Sequence, residues 1–313
     1  MKNLTYMLLF FLLLSSCSKE DDNIEEPIPD DYTYEFTKFK QTHTYNGTNT
    51  VIPYHLFEPQ QANNSNNKFP LIVTLHGTEY HLASEENFLA YFPSNYMATA
   101  WIEEAKQKKF PTYVVAPNLH DPLWDIDGYN SWEDVASQDY LNELIENLLT
   151  SYQIDSNRVY FVGHSIGGGA MWKLNQTLKS KAAAIIPLSH ALGPSEAASS
   201  IIDDISNGVY DDISIWTIVH VSDNEGSTRT ARPIFEYLQD NNYSPVITNT
   251  LGDQVFELTN EEIESEINVG KSYFYTENRE SPCEHGGGCH YSWITQLEGD
   301  LIYRWLFRQQ KND

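Results

Sequence analysis

Basic residues are scarce in this sequence: 19 Lys and Arg stand against 44 Asp and Glu, which gives a formal net charge of −25. A nucleic-acid-binding surface needs clustered positive charge, so this balance excludes a nucleic-acid partner. Long apolar runs are also lacking, since no stretch reaches the ~20 residues that a membrane-spanning helix needs. Hydrophobic residues still make up 41% of the chain, which suffices for a folded core.

Cysteine occurs only three times. The first, Cys17, follows an apolar run (Leu4–Leu14) and two serines, a stretch that resembles a bacterial lipobox, in which the cysteine is lipidated. The pattern predicts a lipoprotein signal peptide over residues 1–16 and membrane attachment through a lipid on Cys17 alone. The alternative is an ordinary secretory signal with an incidental cysteine.

Residues 17–31 are acidic and contain two prolines, so they predict a flexible tether ahead of a domain over residues 32–313. The acidic run after the cysteine resembles the surface-export signal of Bacteroidetes lipoproteins. A solvated spacer facing the periplasm is the alternative. We therefore expect a protein that is lipid-anchored to the outer membrane, on the cell surface or on the periplasmic face.

The other two cysteines, Cys283 and Cys289, lie close together in a chain that we expect in an oxidising compartment, which predicts a disulfide. The alternative is a metal site that adds His285 and His290. That spacing is crowded for one tetrahedral zinc ion and lacks separated ligand pairs. We therefore predict neither a metal nor a cofactor.

The remaining chain alternates between short apolar runs and amphipathic stretches, which predicts an α/β fold with a mainly parallel central sheet flanked by helices. An Asn-Gly turn between two β-like segments near the start predicts an antiparallel hairpin ahead of that sheet. The predicted hairpin strands cover 33–45 and 51–57, the buried strands 70–75, 113–116, 159–162, 183–187 and 215–219, and the helices 139–152, 167–178, 231–238 and 293–307.

The pentapeptide Gly163-His164-Ser165-Ile166-Gly167 fits the G-x-S-x-G pattern. It follows a predicted strand and opens a predicted helix, which is the context of a nucleophile elbow. Ser165 is therefore the predicted nucleophile. A glycine-rich phosphate-binding turn is the alternative, but the sequence has no lysine of the P-loop kind there.

A serine nucleophile in this chain order needs a carboxylate and then a histidine. His290 lies just before the last predicted helix and is the predicted base, with His285 as its rival. Asp223 lies in the loop after the strand that ends at His220 and is the predicted acid. Glu225 in the same loop is the alternative.

The oxyanion hole should use two backbone N–H groups. One belongs to the residue after the nucleophile, Ile166, and the other to the loop after an early strand, where Thr78 is our choice.

These residues carry a family resemblance that covers most of the chain from about Pro70 onwards. The chain resembles α/β-hydrolases of the polyhydroxybutyrate-depolymerase-like and feruloyl-esterase-like group, some of which are labelled predicted peptidases. One departure is that Asn224 stands where relatives usually carry the acid. The matching stretches are Pro70–Thr78, Tyr113–Asn118, Ile154–Tyr160, His290–Trp293 and Trp305–Phe307.

The resemblance implies a secreted, monomeric serine ester hydrolase that removes feruloyl or acetyl groups from polysaccharides. A serine peptidase on the same fold and an inactive glycan-binding lipoprotein are the alternatives. Trp124, Tyr129 and Trp132 are candidates either for stacking on a substrate or for covering the core.

Overall fold

The computed structural model describes residues 38–44, 51–64, 66–78, 96–118, 132–192, 196–223, 227–280, 283 and 288–311. All of them belong to one compact unit, Thr33–Asp313. The predicted signal peptide and tether, including Cys17, lie outside the described residues. Glu225, His285, Trp124 and Tyr129 lie outside them as well.

The strands alternate with helices from the third strand to the eighth. The strands are β1 (Lys38–Thr44), β2 (Val51–Phe57), β3 (Phe69–Leu75), β4 (Tyr113–Pro117), β5 (Ile154–His164), β6 (Ala182–Leu188), β7 (Ser214–His220), β8 (Val246–Ile247), β9 (Thr250–Leu251), β10 (Gln254–Val255) and β11 (Tyr273–Asn278).

The helices cover much of the chain between these strands. They are α1 (Tyr96–Thr99), α2 (Glu104–Lys109), α3 (Val135–Ser151), α4 (Ile166–Lys173), α5 (Gln176–Lys179), α6 (Glu196–Ser206), α7 (Ser227–Asp240), α8 (Asn260–Asn268), α9 (Ile294–Glu298) and α10 (Leu301–Leu306), with 3₁₀ turns at Gln60–Asn64, Ala100–Ile102 and Gly288–Tyr291.

The main sheet has nine strands in the order β1-β2-β4-β3-β5-β6-β7-β11-β8, and β9 pairs with β10 separately. β1 pairs with β2, and β2 with β4, in antiparallel fashion. The pairings from β4 through β3 to β8 are parallel. The predicted antiparallel start and mainly parallel sheet are therefore confirmed.

The register of the sheet brings several strand ends to one level. Leu75 at the end of β3 lies opposite Gly163 in β5, and His164 lies opposite Leu188 at the end of β6. At the other side, His220 at the end of β7 lies opposite Asn278. Ligand and catalytic sites of open α/β sheets lie at the carboxyl ends of the strands, and this edge therefore carries the candidate site.

The strands of this sheet are buried because helices cover both of its faces. Every residue of β3, β4, β6 and β7 is buried. Helix α3 places Leu141, Leu144, Ile145 and Leu148 in the core, which is the helical spacing that predicted it. No helix in the described part of the chain is long and apolar enough to cross a membrane.

Two predicted helices are interrupted. The first breaks at Leu174, whose ψ of 134° leaves the helical region, and Asn175 then caps α5 by accepting from the Leu178 N–H. The second breaks at Gly299, where ψ is 176°. Apolar periodicity continues across both breaks, so the pattern alone did not reveal them.

The sequence pattern missed two strands of the main sheet, the two-residue β8 and the longer β11. β11 is the more informative of the two. Its second half is Thr276, Glu277 and Asn278, all of them buried. Polar residues are rarely buried unless they are paired, so a polar segment is not normally predicted as a buried strand. Its polar side chains find partners only in the folded protein.

Two glycines permit the close contact between β5, α4 and β3. A Cβ atom on Gly163 would overlap the carbonyl oxygen of Gly167, and one on Gly167 would overlap the carbonyl oxygen of Leu75. In both cases the obstacle is backbone, which moves little in a packed core.

We expect Gly167→Ala to lower the free energy of unfolding by about 3 kcal/mol, because the added methyl group has no room beside β3. Gly299→Ala is the matched control, since the nearest atom to its Cβ would lie at an ordinary 3.6 Å. Thermal and urea unfolding of both variants measure the difference. Equal stabilities would contradict this account of the turn.

Candidate active site

Ser165 occupies the sharp turn between β5 and α4. Its φ of 55° and ψ of −119° are strained for a residue with a side chain, and such conformations cost ~1–3 kcal/mol. The turn is held by its backbone: the Ser165 N–H donates to Leu188 O at 3.0 Å, and the Ser165 carbonyl accepts from Gly169 N–H at 2.9 Å and Ala191 N–H at 2.8 Å. This strained and well-held geometry is that of a nucleophile elbow.

Asp223 lies at the end of a tight turn after β7. Its N–H donates to His220 O at 3.0 Å, and the Ser222 N–H donates to His220 Nδ1 at 3.0 Å. The Val221 N–H donates to Asn278 O at 3.0 Å, which attaches the turn to β11. The carboxylate is completely buried. The turn therefore directs this side chain into the protein although it lies one position before the usual place of the acid.

His290 contacts this carboxylate directly. Its Nδ1 lies 3.0 Å from Oδ1 and 3.1 Å from Oδ2 of Asp223. Because the carboxylate accepts, the imidazole Nδ1 donates, and Nε2 of the neutral ring is then the atom that can take a proton. The His290 side chain is 18% exposed, so solvent and substrate can reach it.

The base lies beside the elbow. The His290 ring packs on the ring of His164, the residue before the nucleophile, with centroids 4.5 Å apart. The His290 carbonyl lies 3.2 Å from His164 Nε2 and accepts from Trp293 Nε1 at 3.1 Å. The structure thus brings Asp223 and His290 into contact and places the His290 ring against the residue before Ser165.

The predicted disulfide is confirmed: Cys283 and Cys289 are bonded to each other. The bond closes a short loop immediately before His290. The disulfide therefore joins the residue next to His290 to Cys283.

The donor set around this disulfide does not suit a metal ion. Ligand atoms of His220, Cys283 and Cys289 lie within 4.8 Å of one another. However, both sulfurs are used in the disulfide, and a thiolate is the form that binds metals. His220 accepts a backbone N–H at Nδ1, so its Nε2 carries the proton and donates to Glu280 O at 3.0 Å.

The two predicted oxyanion-hole residues lie on neighbouring elements. Ile166 is the first residue of α4, and N–H groups in a first helical turn have no partner within the helix. Thr78 lies three residues beyond the end of β3, the strand beside β5. Their roles remain predictions.

Trp132 covers the core and is not a stacking surface for a substrate. It is 1% exposed, its Nε1 donates to His76 O at 2.9 Å, and its ring meets the His76 ring edge-on at 4.9 Å. Trp132 therefore braces the loop that carries Thr78.

His190 is a second histidine near the acid, but its environment keeps it neutral. It is completely buried at the end of β6, and burial lowers its pKa to about 4. A ring that stays neutral and out of solvent contact does not suit the role of a base that faces substrate.

Sequence reasoning missed an ion pair, with a buried carboxylate and a partly exposed guanidinium, that holds the helix after Asp223. Glu277 on β11 accepts from Arg232 Nε at 2.7 Å and Nη2 at 2.9 Å, and from Tyr275 Oη at 2.6 Å. Burial opposes ionisation of Glu277, but hydrogen bonds from Arg232 and Tyr275 outweigh it and hold its pKa below the usual value. The bidentate pair attaches α7 firmly to the sheet. There was little indication of this ion pair in the sequence, because a Glu and an Arg that lie 45 positions apart resemble ordinary surface residues.

Comparison with known proteins agrees with this geometry. No family model matches the chain. Over 162 residues, 51% of this chain, it is 27% identical to the bifunctional acetylxylan esterase/xylanase XynS20E of Neocallimastix patriciarum. The chain spans only 21% of the length of that protein.

Solved structures match over a larger share of the chain. A thermostable esterase covers 87% of it with a TM-score of 0.62 and 24% identity, and the match spans 62% of that esterase. The feruloyl esterase module from Clostridium thermocellum, complexed with sinapinate, matches 87% of this chain and 89% of the module, with a TM-score of 0.54 and 16% identity. The chain has the α/β-hydrolase fold.

In an α/β-hydrolase, the serine at the elbow is activated by a histidine that a carboxylate orients. Asp223 makes that contact here, although Asn224 stands where relatives usually carry the acid. The turn from His220 to Asp223 is closed by its own hydrogen bonds, and the role of Asp223 as the acid remains a prediction.

We expect Asp223→Ala to slow the reaction of Ser165 with a fluorophosphonate reagent by a factor of about 10⁴, because the imidazole loses the partner that fixes its tautomer. Glu225→Ala is the matched control and should react at the rate of the unmodified protein. Labelling kinetics followed by intact-protein mass spectrometry measure both rates. A large loss in Glu225→Ala with none in Asp223→Ala would show that the acid is the other carboxylate.

Proposed function

We propose that the protein is a secreted serine carboxylic ester hydrolase that removes acyl groups, of the feruloyl or acetyl type, from polysaccharides. The observation that carries the proposal is the contact of His290 Nδ1 with the buried Asp223 carboxylate beside the strained Ser165 turn. A histidine held in this way prepares Nε2 to accept the proton of a serine hydroxyl.

In the proposed reaction, Ser165 Oγ forms a bond to the ester carbonyl carbon while its proton passes to His290 Nε2. The imidazolium that results is stabilised by Asp223. The carbonyl oxygen becomes an oxyanion, and the N–H groups of Ile166 and Thr78 donate to it, each lowering the barrier by ~3 kcal/mol. His290 then gives its proton to the alcohol as the ester bond breaks.

The product of this first half is an acyl group bound to Ser165 Oγ. Water attacks the acyl carbonyl carbon and loses a proton to His290 in the second half. The same imidazolium protonates Ser165 Oγ as the acid leaves. One ester bond and one water molecule are consumed, and one acid and one alcohol are released.

Two features support the proposed substrate class. One relative is named an acetylxylan esterase, and one structural neighbour is a feruloyl esterase module complexed with sinapinate. The partial exposure of His290 is compatible with an ester linked to a larger molecule.

We expect short-chain nitrophenyl esters, acetylated xylan and feruloylated arabinoxylan to be hydrolysed and peptide nitroanilides to remain intact. Ser165→Ala should abolish the activity, because no other group supplies the nucleophile. Released nitrophenol, acetate and ferulate measure the outcome. Nitroanilide cleavage without ester cleavage would instead indicate a peptidase, and an inactive protein that retains xylan would indicate a binding protein.

We further propose that the protein is anchored to the outer membrane through a lipid on Cys17. In a Gram-negative host fed with an alkyne-labelled fatty acid, the unmodified chain and Ser18→Ala should carry the label and sediment with membranes. Cys17→Ala should carry none, because the cysteine sulfur is the acceptor. Label on Cys17→Ala, or none on the unmodified chain, would refute the anchor.

A further inference from the structure

The Asp223 carboxylate has a second side-chain partner besides the base. Ser227 Oγ donates to Asp223 Oδ2 at 2.9 Å. Ser227 is 1% exposed and is the first residue of α7. A hydrogen bond to an ionised group is among the stronger ones in proteins, and burial of both partners protects this bond from competition with water.

This bond bears on the geometry of the acid–base pair. His290 Nδ1 lies nearly midway between the two Asp223 oxygens, at 3.0 Å and 3.1 Å. A carboxylate torsion is broad, so contact with His290 alone leaves rotation of this group poorly fixed. A donor on Oδ2 that comes from another direction restricts that rotation.

The position of the acid makes such a restraint useful. Asp223 is the last residue of its tight turn, and the turn fixes the backbone but not the carboxylate plane. Ser227 lies four residues further on, at the point where the chain becomes helical. The start of α7 therefore supplies a rigid element that can hold the carboxylate.

Helix α7 is well suited to this purpose because it is attached to the sheet. Arg232, one and a half turns after Ser227, makes the bidentate pair with the buried Glu277 on β11. A functional group holds its geometry best when its supports lie on rigid elements.

We propose that Ser227 is a positioning residue for the acid–base pair. Its hydroxyl holds Asp223 Oδ2 so that the carboxylate faces His290 Nδ1. The inference rests on the proposed function for its catalytic consequence, whereas the hydrogen bonds themselves do not depend on turnover.

The hydroxyl also moderates the charge of the acid. By donating to the Asp223 carboxylate, the Ser227 hydroxyl offsets part of the negative charge of that group. The electrostatic attraction between Asp223 and the His290 imidazolium is then weaker. Loss of this donor should make Asp223 a stronger acceptor, so His290 should become protonated at a higher pH. Since the protonated base is inactive, the acid limb of the pH–rate profile should move upwards.

Ser227→Ala tests both consequences. We expect kcat for nitrophenyl acetate to fall roughly tenfold with KM nearly unchanged. The acid limb should move up by about half a pH unit. Thr228→Ala is the matched control, because it removes a buried hydroxyl from the same helical turn. Its kcat and pH profile should stay those of the unmodified protein.

Ser227→Cys provides a second variant that preserves the volume of the side chain. A thiol is a weak donor, so we expect the same direction of change even if Ser227→Ala does not fold. Kinetics of both Ser227 variants equal to those of Thr228→Ala would overturn the proposal, and so would a loss confined to KM.

A proton NMR measurement separates this inference from the proposed function. The low-field resonance of the proton between His290 Nδ1 and Asp223 should move further downfield in the Ser227 variants and stay in place in Thr228→Ala. This shift without any ester turnover would sustain the positioning role and refute the esterase. Turnover in the unmodified protein without the shift would refute the positioning role alone.

Discussion

The close contact of the β5–α4 turn with β3 is the constraint on which the rest of the site depends. There is no space for a Cβ atom at Gly163 or Gly167, because backbone carbonyls already occupy those positions. This contact forces Ser165 into its strained conformation at the end of β5. The strain is supported by hydrogen bonds to backbone on both sides of the turn. A looser turn would let Ser165 relax away from the geometry of an elbow.

Asp223 and His290 reach this turn by different means. Asp223 is placed by the end of β7 and by the turn that follows it, so its position comes from the sheet. His290 belongs to the 3₁₀ turn Gly288–Tyr291, and three contacts hold this turn: the disulfide at Cys289, the His164 ring and Trp293 on the His290 carbonyl. Both side chains meet because the end of β7 contacts the 3₁₀ turn that holds His290, although 67 positions separate them in the chain.

Buried polar residues tie these parts into one scaffold. Glu277 is completely buried, and its partner Arg232 belongs to the helix that begins at Ser227. Arg279 and the Tyr275 hydroxyl also donate to this carboxylate, so several groups compensate its buried charge. Strand β11 also accepts a hydrogen bond at Asn278 O from the Val221 N–H, in the turn that leads to Asp223. β11, which the sequence patterns missed, therefore supports the part of the site that contains Asp223.

The sequence by itself determined the features that are local along the chain: the buried strands, the elbow at Ser165, the paired cysteines and a histidine after the last strand. Apolar runs, turn residues and short motifs record such features directly. Only the tertiary structure decided that Asp223 contacts His290, that Trp132 belongs to the core, that two helices are broken and that polar β11 is a buried strand. Those outcomes depend on partners distant in sequence, since a buried Glu or Asp is stable only where a donor from another element meets it. Ser227 shows the same limit: nothing in its local sequence marks it, and its bond to Asp223 exists only because the turn and α7 meet in space.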